Sequence, residues 1–248
     1  MNEKTQKLKF LSRDAIKYLA IIPMSVGHFF SYTADWENIS PIPLWFKLLT
    51  QMSLIAPPIF FFFIAEGFHY TRSRKSYAVR LLIFALITQI PFCLANNGTL
   101  LTAEFFTSLN IFFTLFFGVL SLTIWEKDMP LKKKIFLLII ADAATLLFFC
   151  EWLIFGIPII LGFYIYREQP RKRMLWFAAC ILLHQIIEFI FALDPVNFFM
   201  NTAFFALSYL CVTIFYNGKK GRYPAFAKWF FYLFYPAHLL VIWLVKYL

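Results

Sequence analysis

Charged residues are scarce in this sequence. They make up 15% of its 248 residues, whereas hydrophobic residues make up 61% and phenylalanine alone occurs 34 times. A chain of this size cannot bury so much apolar surface inside a water-soluble globule, and its mean hydropathy is +0.71. The shortage of charge therefore excludes a soluble domain and predicts an integral membrane protein.

Cysteine and glycine are also few, and several motifs of common enzyme classes are absent. The sequence contains no Gly-rich phosphate loop, no HExxH motif and no GxSxG motif. The cysteines lie in apolar segments without C-x-x-C spacing, so we interpret them as buried thiols and expect neither a disulfide nor a metal site. They are Cys93, Cys150, Cys180 and Cys211.

Long apolar runs separated by short polar loops are present instead. They predict spanning helices, because a lone strand would leave its backbone groups unpaired in lipid. We expect an all-α, polytopic membrane bundle of about nine transmembrane helices that forms one domain over residues 1–248. The run from Ile135 to Tyr166 is too long for one span, and we divide it at Glu151 because a carboxylate is tolerated best at a surface. The predicted spans are 14–34, 44–69, 77–96, 103–125, 132–150, 152–166, 174–192, 196–216 and 225–247.

Basic residues alternate between the predicted loops. All but Lys47 and Lys246 of the 23 lysines and arginines fall in the amino-terminal tail, which includes Lys4 and Lys7, or in every second loop with its flanks. The positive-inside rule then predicts a cytoplasmic amino terminus and a multi-pass protein of the cell membrane. A net charge of +10 would also suit nucleic acid, but the basic residues are dispersed, so we expect the lipid bilayer and not nucleic acid as the partner.

Polar side chains within the predicted spans are the candidates for chemistry. His28 lies midway along the first span, and two interpretations stay open: a hydrogen-bonded packing residue, or a general base. His238 follows Pro236, which is expected to bend the last span, and its structural and functional interpretations are equally supported. The full set is His28, Glu66, His69, Arg80, Gln89, Asn110, Asp142, His184, Glu188 and His238.

Two spacings within this set resemble known motifs. Glu66 and His69 form an E-x-x-H spacing, but a di-iron bundle needs a second such motif and further carboxylates, which are missing. His184 and Glu188 are an i, i+4 pair that can hydrogen-bond within one helix, so we favour a structural role for them.

The stretch from Pro57 to Pro91 joins two apolar helices through a basic loop. Pro57 and Pro58 are expected to bend or break the second span. The basic residues suit a topology determinant that contacts lipid headgroups, but Arg80 lies one turn inside its span, and an ion pair with Glu66 or a phosphate ligand are both sensible partners. The basic residues are Arg72, Arg74, Lys75 and Arg80.

Five segments in order along the chain resemble the TraX family of membrane acetyltransferases, which is related to the wider transmembrane acyltransferases. Each segment is weak alone, but the set is fairly specific. The segments are DAIKYLAIIPMSVGH (Asp14 to His28), FIAEGFHYTRSR (Phe63 to Arg74), YAVRLLIFALITQIPF (Tyr77 to Phe92), NIFFTLFFG (Asn110 to Gly118) and YPAHLLVI (Tyr235 to Ile242).

The resemblance implies acetyl transfer from acetyl-CoA, with His28 matching the histidine of the first span. The family pattern leads us to expect an aspartate where this chain has Gly27, and another where it has Glu151. Because the first aspartate is missing, the group that orients His28 is open; Asn110 and His238 are the candidates. The resemblance leaves the acceptor unidentified: a pilin or peptide amine, or a hydroxyl compound.

The basic loop and His28 are separated by depth in the predicted bundle. The 14 residues from Asp14 to His28 rise about 21 Å along a helix. We therefore expect the nucleotide of acetyl-CoA to dock on the cytoplasmic side at Arg72, Arg74, Lys75, Arg80 and Glu66, and its arm to extend towards His28, with the acceptor on the outer side. A transporter or lipid translocator, or a non-catalytic assembly factor, are the alternatives.

Overall fold

The computed structural model describes residues 8–36 and 38–248; the tail residues Lys4 and Lys7 lie outside them. The described chain is all-helical, as predicted. Its helices are α1 (Arg13–Thr33), α2 (Leu44–Gln51), α3 (Ala56–Tyr70), α4 (Arg74–Asn97), α5 (Glu104–Thr107), α6 (Ile111–Glu126), α7 (Leu131–Leu147), α8 (Gly156–Ile165), α9 (Pro170–Ala192), α10 (Pro195–Leu210) and α11 (Pro224–Tyr247).

Six helical stretches of the described chain are long and apolar enough to cross a membrane. They are Leu44–Tyr70, Arg74–Asn97, Glu104–Glu126, Pro170–Ala192, Pro195–Phe215 and Pro224–Tyr247. The three remaining predicted spans are also helical, in α1, α7 and Leu153–Ile165, but these helices are not among the six. The membrane-type helical bundle is confirmed at this level, and the nine-span arrangement stays a prediction.

Side chains at the helix starts explain several boundaries. The Ser12 hydroxyl accepts a hydrogen bond from the Ala15 backbone N–H at the start of α1, and the Ser73 hydroxyl accepts one from Ser76 at the start of α4. Each satisfies a backbone donor that has no partner within its own helix. At the other end of α4, Gly98 adopts the left-handed conformation (φ 72°) that suits a residue without a Cβ.

The second predicted span is interrupted where the sequence places its prolines. A 3-10 turn over Met52–Ile55 separates α2 from α3. Pro57 and Pro58 then occupy the first turn of α3, where a missing backbone N–H breaks no helical hydrogen bond. In the bundle α4 packs against α6 and α11, α3 packs against α8, and α1 packs against the 3-10 turn, α3 and α11.

Several of the basic loops meet at one end of the bundle. Arg74, at the start of α4, lies 3.2 Å from Glu126 at the end of α6, and the Tyr164 hydroxyl of α8 donates to the same carboxylate at 2.8 Å. The amino-terminal segment joins the loop before α11, because the Arg13 N–H donates to the Lys219 carbonyl at 2.9 Å. These contacts bring the start of α4 together with the ends of α6 and α8, and the start of α1 together with the loop before α11.

A separate ion pair joins α2 to the loop between α9 and α10. Lys47 donates to the Asp194 carboxylate, which also caps α10 by accepting from the backbone N–H groups of Val196 and Asn197. The hydrogen bonds from Lys47 and from Asn197 hold the pKa of the Asp194 carboxyl below its usual range. Lys47, one of the two basic residues outside the charge alternation, is thus neutralised by a local partner.

Cysteine labelling in intact cells tests the predicted orientation. Single cysteines at Lys75, Lys133, Lys172 and Lys220 are expected to resist an impermeant thiol reagent until the membrane is opened. Cysteines at Asp35 and at Phe149, which is 61% exposed, are expected to react from outside. Labelling of the Lys133 and Asp35 positions from the same side would refute the nine-span topology.

Candidate functional site

A cavity of about 900 Å³ lies between α1, α3, α4, α6 and α11. Both Asp14 and His28 line it, so it follows α1 for about 21 Å at the helical rise of about 1.5 Å per residue. Exposed residues such as Arg72 and Lys220 line one end, where the basic loops meet. The cavity therefore connects this end of the bundle with the first-span histidine.

The end of the cavity near the basic loops is strongly basic. Arg13 is paired with Asp14 at 2.7 Å, whereas the Lys17 ammonium lies over the rings of Phe63 and Phe231, at 5.2 and 5.5 Å from their centroids. A cluster of cations facing a water-accessible space favours an anionic ligand. The basic lining residues are Arg13, Lys17, Arg72, Arg80, Lys220 and Lys228, and the acidic ones are Asp14, Glu66 and Glu151.

The predicted donor-binding residues separate into two groups. Arg72, Arg80 and Glu66 line the cavity. Arg74 does not line it, because its guanidinium is paired with Glu126 and stacked on Phe68, and Lys75 is exposed outside it. The cavity lining therefore leaves out two of the five predicted residues, Arg74 and Lys75. It includes four further cations, Arg13, Lys17, Lys220 and Lys228, which the sequence marks only through the positive-inside pattern.

The ion pair between Glu66 and Arg80, one of the two alternatives for Arg80, is not formed. Glu66 accepts a hydrogen bond from the Tyr216 hydroxyl at 2.9 Å, and the Arg80 Nε donates to the Tyr232 hydroxyl at 3.3 Å. The Arg80 guanidinium also lies over the Tyr77 ring, 5.5 Å from its centroid. Of the two partners considered for Arg80, an anionic ligand is the one that this geometry leaves open.

At the end of the cavity away from the basic loops, His28 contacts His238. Nδ1 of His28 lies 2.9 Å from Nε2 of His238, although the two residues are 210 positions apart in sequence. Nδ1 of His238 lies 3.3 Å from the Phe234 carbonyl, which can only accept. This network assigns the protons: His238 carries its proton on Nδ1, His28 donates from its own Nδ1, and the lone pair of His28 is on Nε2.

Asn110 is not a partner of either histidine. Its side-chain amide donates to the Ala85 carbonyl at 2.9 Å and to Gln89 Oε1 at 2.8 Å, and its side-chain oxygen accepts from the Phe112 N–H at the start of α6. All of these bonds serve the junction of α4 and α6. Asn110 therefore does not contact His28 in this structure, whereas His238, the other candidate, does.

Glu151 is placed differently from the prediction. It was expected at a surface, but it is partly buried and lines the cavity together with His28. Its Oε2 accepts from the Ile111 backbone N–H at 2.6 Å and from the Tyr235 hydroxyl at 2.8 Å. Sequence reasoning missed this residue, although the expected family aspartate at this position was a signal that marked it.

The other polar candidates lie outside the cavity lining. His184 stacks on Trp152 and lies 3.1 Å from the Gln185 side chain, so its observed partner is Gln185 and not Glu188, which the i, i+4 spacing also allowed. His69 is exposed at the end of α3, and Asp142 lies on α7. Within residues 8–36 and 38–248 no group of three or more His, Cys, Asp or Glu side chains is arranged to hold a metal ion.

Close packing around Gly27 leaves no room for the aspartate that was expected before His28. A Cβ at this position would lie 2.8 Å from the Ser53 backbone nitrogen and 2.9 Å from the Thr50 carbonyl oxygen. The 3-10 turn after α2 thus approaches the α1 backbone too closely for any side chain. This contact fixes α1, and with it His28, against the 3-10 turn between α2 and α3.

Replacing Gly27 by alanine is expected to destabilise the protein by roughly 1–3 kcal/mol, because backbone atoms must move apart to admit the methyl group. Thermal unfolding in detergent measures the loss. Gly118→Ala is the matched control: its closest neighbour is the end of the Ile160 side chain, which can rotate. A Gly27→Ala protein that melts at or above the wild-type temperature would contradict the close approach.

Comparisons with known proteins agree with the resemblance seen in the sequence. A family model described as TraX protein matches residues 12–246. The chain is also 29% identical, over 240 residues, to a probable fimbrial assembly protein FimC, serogroup H1, of Dichelobacter nodosus, and the match covers 92% of each chain. No solved structure matched this chain.

Proposed function

Because the chain belongs to the TraX family, we propose that it is a membrane-embedded acetyltransferase. It moves an acetyl group from cytoplasmic acetyl-CoA to an amine or hydroxyl of an acceptor at the outer side of the cell membrane. The observation that carries the proposal is the cavity that joins the basic end of the bundle to His28, whose imidazole is paired with that of His238.

The shape and charge of the cavity suit this donor. Coenzyme A carries phosphates at one end and its thioester at the tip of a long, thin arm. The phosphates match the basic end around Arg80 and Lys17, since guanidinium and ammonium groups are strong donors to phosphate oxygens. The arm then extends past apolar lining residues, such as Ile21 and Met24 of α1, towards His28.

The histidine pair supplies the proton transfer. Nε2 of His28 takes the proton of the acceptor's N–H or O–H while the nucleophile attacks the thioester carbonyl carbon. The carbon–sulfur bond breaks, and the thiolate leaves and takes the proton from the imidazolium. Acetyl-CoA and the acceptor become the acetylated acceptor and coenzyme A. His238 accepts the Nδ1–H of His28 throughout and holds the ring in place.

The relative's name favours a second candidate, a non-catalytic assembly role in which the cavity holds part of a fimbrial subunit. Purified protein supplied with acetyl-CoA separates the two functions. The acetyltransferase is expected to release free coenzyme A, by hydrolysis or by transfer, at a rate that depends on His28. Absence of acetyl-CoA binding and turnover in folded wild-type protein would overturn the proposal and favour the assembly role.

A further inference from the structure

We propose that Glu151 holds the acceptor, by accepting a hydrogen bond from its reacting group through Oε1. This inference rests on the proposed function and assigns a role to the acidic group at the end of the cavity near His28. It concerns the acceptor alone, because the basic lining residues that suit the donor phosphates lie towards the other end.

The two oxygens of Glu151 have different surroundings. Both structural hydrogen bonds, from the Ile111 N–H at 2.6 Å and from the Tyr235 hydroxyl at 2.8 Å, go to Oε2. No described residue donates a hydrogen bond to Oε1. Because Oε1 is not one of the solvent-shielded atoms that lack a partner, it is accessible from the cavity. Because Glu151 lines the cavity, this oxygen is the one left for a ligand.

The carboxylate is also fixed in position. It lies at the amino terminus of α6, where the helix dipole favours negative charge. The backbone of Glu151 is held as well, because its N–H donates to the Leu109 carbonyl at 2.9 Å. Thr114 donates from its hydroxyl to the Glu151 carbonyl. The neighbouring residues Trp152 (φ 69°) and Leu153 (φ 35°) adopt left-handed conformations that are strained for large side chains. Strain held by so many contacts is typical of a functional position.

The chemistry of a carboxylate selects the group that it binds. An ionised carboxylate only accepts hydrogen bonds, so its ligand must present an N–H or O–H. His28 removes one hydrogen from the nucleophile, and Glu151 needs a second. An amine supplies both hydrogens itself, whereas a hydroxyl needs a neighbouring hydroxyl to supply the second. The shared requirement is a pair of adjacent donor hydrogens.

Acetyl transfer by the full-length protein to three probes tests the assignment: glycinamide as an amine, methyl glucoside as a compound with adjacent hydroxyls, and ethanol as a single hydroxyl. The wild type is expected to use glycinamide or methyl glucoside in preference to ethanol. Glu151→Gln is expected to raise KM for that acceptor about 10- to 100-fold, which is the usual worth of a hydrogen bond to a charged group. Its affinity for acetyl-CoA is expected to stay within about twofold of the wild type.

Two further variants separate acceptor binding from folding. Glu168→Gln is the matched control, because it removes the same charge from an exposed side chain in the loop between α8 and α9, outside the cavity lining; it is expected to leave the acceptor KM unchanged. Tyr235→Phe keeps the Glu151 charge but removes one of its two positioning bonds, so it is expected to raise the acceptor KM less than Glu151→Gln and to leave kcat nearly intact. If Glu151→Gln fails to fold, Tyr235→Phe decides by the same measurement.

Wild-type protein that neither binds nor turns over acetyl-CoA would refute the proposed function itself. The assignment of Glu151 alone is overturned by an active wild type in which Glu151→Gln, or Tyr235→Phe in its place, leaves the acceptor KM unchanged. Equal losses of acceptor and acetyl-CoA affinity would overturn it too. So would a wild type that hydrolyses acetyl-CoA but prefers ethanol or acetylates none of the three probes.

Discussion

Replacing His28 by glutamine is expected to lower acetyl transfer by about 10²-fold or more while the protein stays folded and still binds acetyl-CoA. The glutamine side chain can keep a hydrogen bond to His238, but it cannot take a proton from the acceptor. Transfer of a labelled acetyl group by purified protein measures the rate, and isothermal titration with a non-hydrolysable acetyl-CoA analogue measures the binding.

His238→Gln and His69→Gln complete this experiment. A glutamine carbonyl at 238 can still accept the Nδ1–H of His28, so the loss is expected to be smaller than for His28→Gln. His69 is exposed outside the cavity lining, and its substitution is expected to leave transfer at the wild-type rate. Wild-type transfer by His28→Gln would return His28 to a packing role.

Replacing Arg80 by alanine is expected to weaken acetyl-CoA binding about 10- to 100-fold, because a hydrogen bond to a charged group is worth about 1.5–3 kcal/mol. Arg80 lines the cavity, and in this structure its guanidinium contacts the Tyr232 hydroxyl and two aromatic rings. At saturating acetyl-CoA the rate of transfer is expected to recover, since the Arg80 guanidinium contacts Tyr232 and Tyr77 and neither of the paired histidines. The same titration measures the affinity.

Lys75→Ala is the matched control for this cation. Lys75 is exposed and lies outside the cavity, so its removal lowers the positive charge at the start of the same helix without changing the lining. Its affinity for the acetyl-CoA analogue is expected to equal that of the wild type. Equal affinities of Arg80→Ala and wild type, or a loss in His28→Gln that Arg80→Ala does not share, would refute the arrangement of the donor along the cavity.

The sequence by itself determined the membrane class and the positions of the helices. Apolar runs of the length of a bilayer permit only helices or closed barrels, so hydropathy alone located the helical segments, and Pro57 and Pro58 located the break before α3. These features depend on short stretches of chain and on the solvent. They need no knowledge of which helix lies beside which.

Part of the candidate site was also visible in the sequence. His28 and Arg80 were singled out because polar groups within apolar spans need partners or a ligand. Sequence reasoning failed where a side chain had several alternatives. Arg74 was grouped with Arg80, but the two residues, on the same helix, have different surroundings. Arg74 is paired with Glu126, whereas Arg80 lines the cavity.

Only the tertiary structure decided which partners meet. His238 contacts His28 although the two are 210 positions apart in sequence. Asn110 forms its hydrogen bonds at the junction of α4 and α6, and Glu151 lines the cavity. The close approach at Gly27 likewise depends on the turn at Met52–Ile55. Such contacts follow from how the helices pack, and packing depends on the shapes of many side chains at once. Local hydropathy and residue spacing therefore do not predict these contacts.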